Sequence, residues 1–143
     1  MQVLSQDMGY EMYKGSCLCG DICFEITGEI KNIVYCHCSR CRKAQGSAFA
    51  TNGNLEEKHF NIIKGKQNLT RYESAPGEYK YFCKKCGSPI ISKNDAKPGN
   101  VRVRLGTIET DIKEKPEAHI FVSSKANWDE INDRLPRYDS YKS

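Results

Sequence analysis

The sequence contains no run of 18 apolar residues, whereas a helix that crosses a membrane needs about 20. Its opening, "MQVLSQDMGYEMYKGSC", has no basic segment followed by an apolar one, so the expectation is a chain without a secretory leader, working in the cytoplasm. Apolar residues are also few. They make up 38% of 143 residues, and the mean hydropathy is -0.66, which is thin for a domain held by its core alone. Charge of one sign is scarce as well: the net charge is +4, with basic and acidic residues interleaved, which argues against nucleic acid as a partner. A phosphate-cradling glycine loop is missing, as is any paired-carboxylate or serine-triad pattern. Cysteine, by contrast, is plentiful. Eight cysteines in a reducing compartment point to metal sites rather than disulfides, and such sites supply cross-links that a thin core needs.

Short stretches of β-branched and aromatic residues recur between Gly, Pro, Asn and Asp. "DICFEIT" alternates, with Ile22, Phe24 and Ile26 on one face and Cys23 and Glu25 on the other. "NIVYCHC", "SAFAT", "FNIIKG", "LTRYES", "EYKYFC", "SPIIS", "NVRVRLG" and "AHIFVS" follow. This spacing predicts one mainly β domain of antiparallel sheets over residues 1–143, its core at about 13–128 and tails or edge additions at both ends. One or two short helices are expected. "SRCRKAQG" reads as a helix from Ser39 at the N-cap to Gly46 just past the end, and "NWDEINDRL" as a second with Asn127 at its N-cap.

Seven cysteines fall into three groups: Cys17 and Cys19 in "CLCG", Cys36, Cys38 and Cys41 in "CHCSRC", and Cys83 and Cys86 in "CKKCG". Tetrahedral zinc, bonded to sulfur at about 2.3 Å, needs thiolates roughly 4 Å apart. C-x-C on an extended segment meets this because residues i and i+2 point the same way, and C-x-x-C meets it at a tight turn. Gly20 and Gly87 each follow a pair directly, where a positive φ turns the backbone and aims amides at the sulfurs. The two glycine-tailed pairs read as halves of one closed four-cysteine site.

The triplet Cys36, Cys38 and Cys41 is then one ligand short. His37 lies between two of its members and, on an extended segment, points to the opposite face. Cys23 reaches the triplet only if the two strands pair; otherwise it reads as a small apolar residue. The leading reading is a three-thiolate site with an open position. A distant thiol, or an exchange of pairs, would use the same cysteines and leave no position open.

The order "GSCLCG", "CHCSRCRKAQGSAF", "FCKKCGSPI" and "PEAHIFVSSKANW" resembles the glutathione-dependent formaldehyde-activating (Gfa-like) enzyme family over about residues 13–128. The resemblance implies the β-tent fold, with stacked antiparallel sheets around zinc. It implies two zinc ions per chain, a structural one on Cys17, Cys19, Cys83 and Cys86 and a catalytic one on Cys36, Cys38 and Cys41. It also implies a carbon–sulfur lyase acting on a glutathione-type thiol–aldehyde adduct, a reaction whose reverse joins formaldehyde to glutathione.

A three-thiolate zinc with a free position can polarise an aldehyde oxygen or hold an incoming thiol as thiolate. Either serves thiol addition to a carbonyl. Arg40, Arg42 and Lys43 place positive charge beside the triplet and are candidates to pair with substrate carboxylates. Gln45 and Ser47 in "QGSAFAT" are candidate pocket residues, although the same stretch also reads as a turn before a core strand. His37 and His119 are the acid–base candidates by residue type, His37 reading more readily as structural. His59 reads as a surface residue, and Phe121 and Trp128 as core or pocket wall. The alternative function is a non-catalytic, zinc-stabilised module that grips an acidic partner or nucleic acid through "RCRK" and "YKYFCKK".

Overall fold

A computed structural model of the chain describes residues 12–141. Ten strands dominate it: β1 (Met12–Ser16), β2 (Cys23–Thr27), β3 (Lys31–Cys36), β4 (Ala50–Glu56), β5 (Phe60–Lys64), β6 (Leu69–Ala75), β7 (Glu78–Cys83), β8 (Pro89–Asn94), β9 (Asn100–Arg104) and β10 (Ala118–Ile120). The one α-helix among the described residues is α1 (Ser39–Gln45). The fold is mainly β, as expected. Each of the nine strand-like stretches contains or adjoins a strand, whereas β1 was not foreseen: "MYKGS" carries a mid-strand glycine and two polar residues.

Two sheets form. One has the order β1-β2-β5 and the other β10-β3-β4-β9-β8-β7-β6. Neighbours pair antiparallel except β10, which runs parallel to β3 with Ala118 opposite Val34 and Ile120 opposite Cys36. The core lies between the sheets. Tyr13, Phe24 and Ile26 come from the smaller one, and Ile33, Leu55, Ile91, Val101 and Val103 from the larger. Each such side chain contributes about 1.5–3 kcal/mol by leaving water. Side chains alternate along a strand, so committing Val101 and Val103 to this core sends Arg102 and Arg104 to the other face. The same rule commits Leu55 inward and turns Asn52 and Asn54 outward on β4. That second face of the large sheet carries the site described below.

Helix α1 begins one residue earlier than the sequence suggests. Cys38, not Ser39, is the N-cap, and its Sγ accepts the Cys41 N–H at 3.3 Å. Gly46 ends the helix in the left-handed region, its N–H donating to the Arg42 carbonyl at 2.8 Å. The second expected helix does not form. In its place Lys125 Nζ donates to the Ala126 and Asp129 carbonyls, and Arg137 Nη2 donates to those of Ile131 and Asp133. Side chains thus satisfy carbonyls that a helix would have used. Trp128, expected in the core or a pocket wall, is 69% exposed, so that segment had no apolar stripe to bury.

Of residues 136–143, expected as a tail or edge addition, 136–141 are described and run along the outer edge of β10. His119 and Phe121 donate backbone N–H groups to the Pro136 and Ser140 carbonyls, and Tyr138 donates to that of His119. This covers an edge that would otherwise present free backbone groups.

Gly65 has the least room for a side chain among the described glycines. Its φ is +83°, and a Cβ there would sit 1.8 Å from the Asp21 carbonyl oxygen. Gly65→Ala is expected to cost about 1–3 kcal/mol, because backbone rather than a pliant side chain must move. Urea unfolding of the two proteins measures it.

Candidate metal and substrate site

The first cysteine cluster joins the two sheets. Cys17 and Cys19 follow β1, and Cys83 and Cys86 end and follow β7. All four sulfurs lie within 4.8 Å of one another, with Cys17–Cys19 at 3.6 Å and Cys19–Cys83 at 3.8 Å. Thiolates bonded to one zinc-sized ion at about 2.3 Å would stand about 3.8 Å apart, so the set fits. Gly20 and Gly87 take φ values of +81° and +82°, the turns that the sequence anticipates. The Ile22 N–H reaches Cys17 Sγ at 3.3 Å, and the Ser88 hydroxyl lowers the Cys86 thiol to about 5. Two further links hold the halves together: Leu18 N–H to Ser88 Oγ at 2.8 Å, and Lys85 to Asp21 at 2.7 Å. Cys23 stays outside the cluster, its thiol 3.5 Å from the Gly20 carbonyl.

The second cluster is Cys36, Cys38 and Cys41, again within 4.8 Å. Cys36 ends β3, Cys38 caps α1, and Cys41 lies buried in its first turn. No fourth Cys, His, Asp or Glu ligand joins them among the described residues. Hydrogen bonds from Cys36 and Cys41 pull the Cys38 thiol well below its ordinary value. The same contacts, with burial added, push the Cys36 thiol up. Such a set binds a metal ion with release of protons.

His37 turns away from the sulfurs, as parity predicts. Its Nε2 lies 2.8 Å from His119 Nδ1, and His119 Nε2 lies 2.9 Å from Asp133 Oδ2. Both rings are buried, His119 against Tyr35 and His37 against Phe49, with ring centres 4.9 Å and 5.2 Å apart. The Asp133 partner was invisible in the sequence, since nothing in "NDRLPR" signals a reach back to β10.

Positive charge on the triplet's side includes two cations that the sequence did not suggest, Arg104 and Lys80. Arg40, Lys43 and Ser47 face solvent, and Arg42 is half-buried with its Nε unpaired. Gln45 turns inward, where its Oε1 accepts from Arg104 Nε at 3.2 Å. Arg104, only 4% exposed, also donates to Ser92 Oγ at 3.3 Å. Burial lowers its guanidinium to about 10, with charge on Cys41, Cys36 and Cys38 acting the other way. On the same face, Lys80 stands opposite Ser92, and burial lowers its ammonium too, opposed by Cys41. The "VRVR" alternation already places Arg102 and Arg104 together; what hides their role is that the triplet is distant in sequence. A cavity of about 580 Å³ opens on this face, lined by Arg102, Asn54 and Ser92 among others. It shares Val34 and Ile120 with the packing around Cys36.

The family profile of the glutathione-dependent formaldehyde-activating enzyme matches residues 12–124. The chain belongs to this family. Two curated relatives, each named "Putative glutathione-dependent formaldehyde-activating enzyme", come from Aspergillus flavus and Aspergillus oryzae. Each is 25% identical over 118 residues, which is 80% of this chain and 54% of the relative. The chain thus spans about half the length of those family members. A crystal structure of a Rhodobacter sphaeroides protein is also similar, with a TM-score of 0.58 and 25% identity over 70% of this chain and 91% of that one. Asp133 lies beyond the stretch matched by the family profile.

The Asp133–His119 contact has a pH signature. The hydrogen bond from His119 holds the Asp133 carboxyl below its usual range. A depressed carboxyl stabilises the fold above its unfolded value of about 3.9, and this is lost as pH falls through the folded value. Asp133→Asn is therefore expected to lower the melting temperature at pH 7, with the gap to the wild type closing towards pH 3. Thermal melts of both proteins across that range provide the check.

Proposed function

We propose that this chain is a zinc-dependent carbon–sulfur lyase acting on a glutathione-type thiol–aldehyde adduct. The observation that carries the reading is the three-cysteine cluster, without a fourth side-chain ligand among the described residues, near a cavity whose lining includes Arg102 and Lys97. Zinc bound at Cys36, Cys38 and Cys41 would supply Lewis acidity and hold an incoming thiol as thiolate. A four-thiolate set such as Cys17, Cys19, Cys83 and Cys86 closes its coordination and suits a structural ion.

In the lyase direction the carbon–sulfur bond of the adduct breaks with its electron pair leaving on sulfur, the hydroxyl proton passes by way of solvent to that sulfur, and aldehyde and thiol separate. The reverse forms that bond and protonates the oxygen. Negative charge moves between sulfur and oxygen in both directions. Arg104 and Lys80 place fixed positive charge on the face where this happens, in a setting poor in water. His37, tied to His119 and Asp133, fixes the backbone between two of the three cysteines. A cytoplasmic setting, where thiols are kept reduced, suits both the cysteine-rich protein and its thiol substrate.

Metal analysis and single substitutions test the proposal. The purified protein is expected to carry two zinc ions per chain. Cys38→Ser should lose one of them, along with at least about a hundredfold in the rate of S-(hydroxymethyl)glutathione formation, while its circular dichroism is retained. Cys83→Ser should lose cooperative unfolding instead, because the closed site joins the sheets. A Cys38→Ser protein that keeps its rate would sink the proposal.

A further inference from the structure

The two ends of the large sheet are finished differently. Residues 136–141 hydrogen-bond along β10, whereas β6, at the opposite end, bonds through its backbone to β7 alone among the described residues. This edge is long, seven residues from Leu69 to Ala75 without a proline, and its pairing with β7 is regular from Leu69 to Glu73. Arg71, Tyr72 and Glu73 at its centre are exposed, Tyr72 by 65%. Arg71 lies over the Tyr79 ring at 4.2 Å, and Glu73 Oε2 accepts the Gly77 N–H at 3.0 Å. Neither forms an ion pair within the chain among the described residues. Such an edge is a template for another strand.

The sequence of the edge, "LTRYESA", is complementary to itself. Two copies running antiparallel with Tyr72 opposite Tyr72 set Arg71 against the partner's Glu73, Thr70 against the partner's Ser74 and Leu69 against the partner's Ala75. Each match is favourable across a strand pair. Neighbouring registers lose this. A shift of one residue either way leaves both charges opposite neutral residues, while centring on Arg71 or on Glu73 sets like charges together. We infer that β6 is the surface through which two copies of this chain associate, about a two-fold axis at Tyr72, with each Arg71 paired to the partner's Glu73. The two-fold makes every contact twice, an economy that a strand of unrelated sequence lacks. Opposed residues of antiparallel strands share a face, and Tyr72 stands opposite Lys80 on the outward one. The two sheets then run on as one, with both cavities opening on the same side. The inference uses neither the metal nor the proposed reaction.

Sedimentation equilibrium of the full-length, zinc-loaded protein tests this. The wild type is expected to show a monomer–dimer equilibrium. Arg71→Glu and Glu73→Arg each set like charges together at both positions, so each should weaken dimerisation about tenfold or more, with circular dichroism unchanged. An equimolar mixture of the two variants should associate as the wild type does, because one copy then supplies both carboxylates and the other both guanidinium groups. The chain carrying both exchanges should dimerise as well, and it decides the matter should a single variant misfold. A wild type that stays monomeric at about 1 mM overturns the interface. So does a dimer that either single variant leaves intact, or failure of both the mixture and the double exchange to associate.

Discussion

The two-residue period of the large sheet is the constraint on which the rest depends. Ile33, Leu55, Val101 and Val103 must face the smaller sheet, because no other apolar set is large enough to hold the fold. Their neighbours then have no choice of side. Cys36, Asn52, Asn54, Arg102 and Arg104 are sent together to the opposite face, although 68 residues separate the first from the last. The site is in this sense a by-product of the core. A one-residue slip in β9 would exchange Arg102 and Arg104 for Val101 and Val103, destroying core and site together.

The two cysteine clusters do different work within that frame. The four-cysteine set lies where β1 and β7 leave their separate sheets, so a metal ion there would close a long loop and tie layers with a modest core between them. Its sulfurs are supported by local groups, the Ile22 amide and the Ser88 hydroxyl, and flanked by the Lys85–Asp21 pair. The triplet instead draws its members from a strand end, a helix cap and a first helical turn, all within six residues. A short local segment can present three ligands without holding anything else together. A metal ion held by the first cluster would have four protein ligands and one held by the second three, among the described residues.

What was legible in the sequence follows from which interactions are local. The glycine turns at Gly20 and Gly87, the C′ glycine at Gly46, the outward turn of His37 and nearly every strand depend on residues close by, and all appear as expected. Membership of the family was readable from the cysteine groups for the same reason. The helix at Asn127 failed because its competitors were distant or unusual: Arg137 and Lys125 capture its carbonyls, and His119 captures Asp133. The buried cations were missed for the same reason. Adjacency in sequence favoured Arg40 and Lys43, but a helix turns neighbours to different sides, and these two face water. Strand pairing across β4, β9, β8 and β7 is what brings Arg104 and Lys80 to the triplet's side.

That relocation changes the electrostatics. A surface lysine beside three thiolates would be screened by water and salt and would do little. Arg104 is buried, and its two hydrogen-bond partners, Gln45 and Ser92, are neutral. Among the described residues no carboxylate is in direct contact with it, and burial already lowers its guanidinium. A divalent ion held by the three thiolates of the triplet would leave a net charge of -1 and supply the missing negative charge. Metal loading and the burial of Arg104 would then support each other. Each lowers the cost of placing the other's charge in a region of low dielectric. A fixed cation paired with a metal–thiolate centre, rather than with a carboxylate, can strengthen its hold on whatever negative charge enters the open position. Guanidinium suits this role better than ammonium, because it stays charged when buried and its planar fork can hold Gln45 and Ser92 at once.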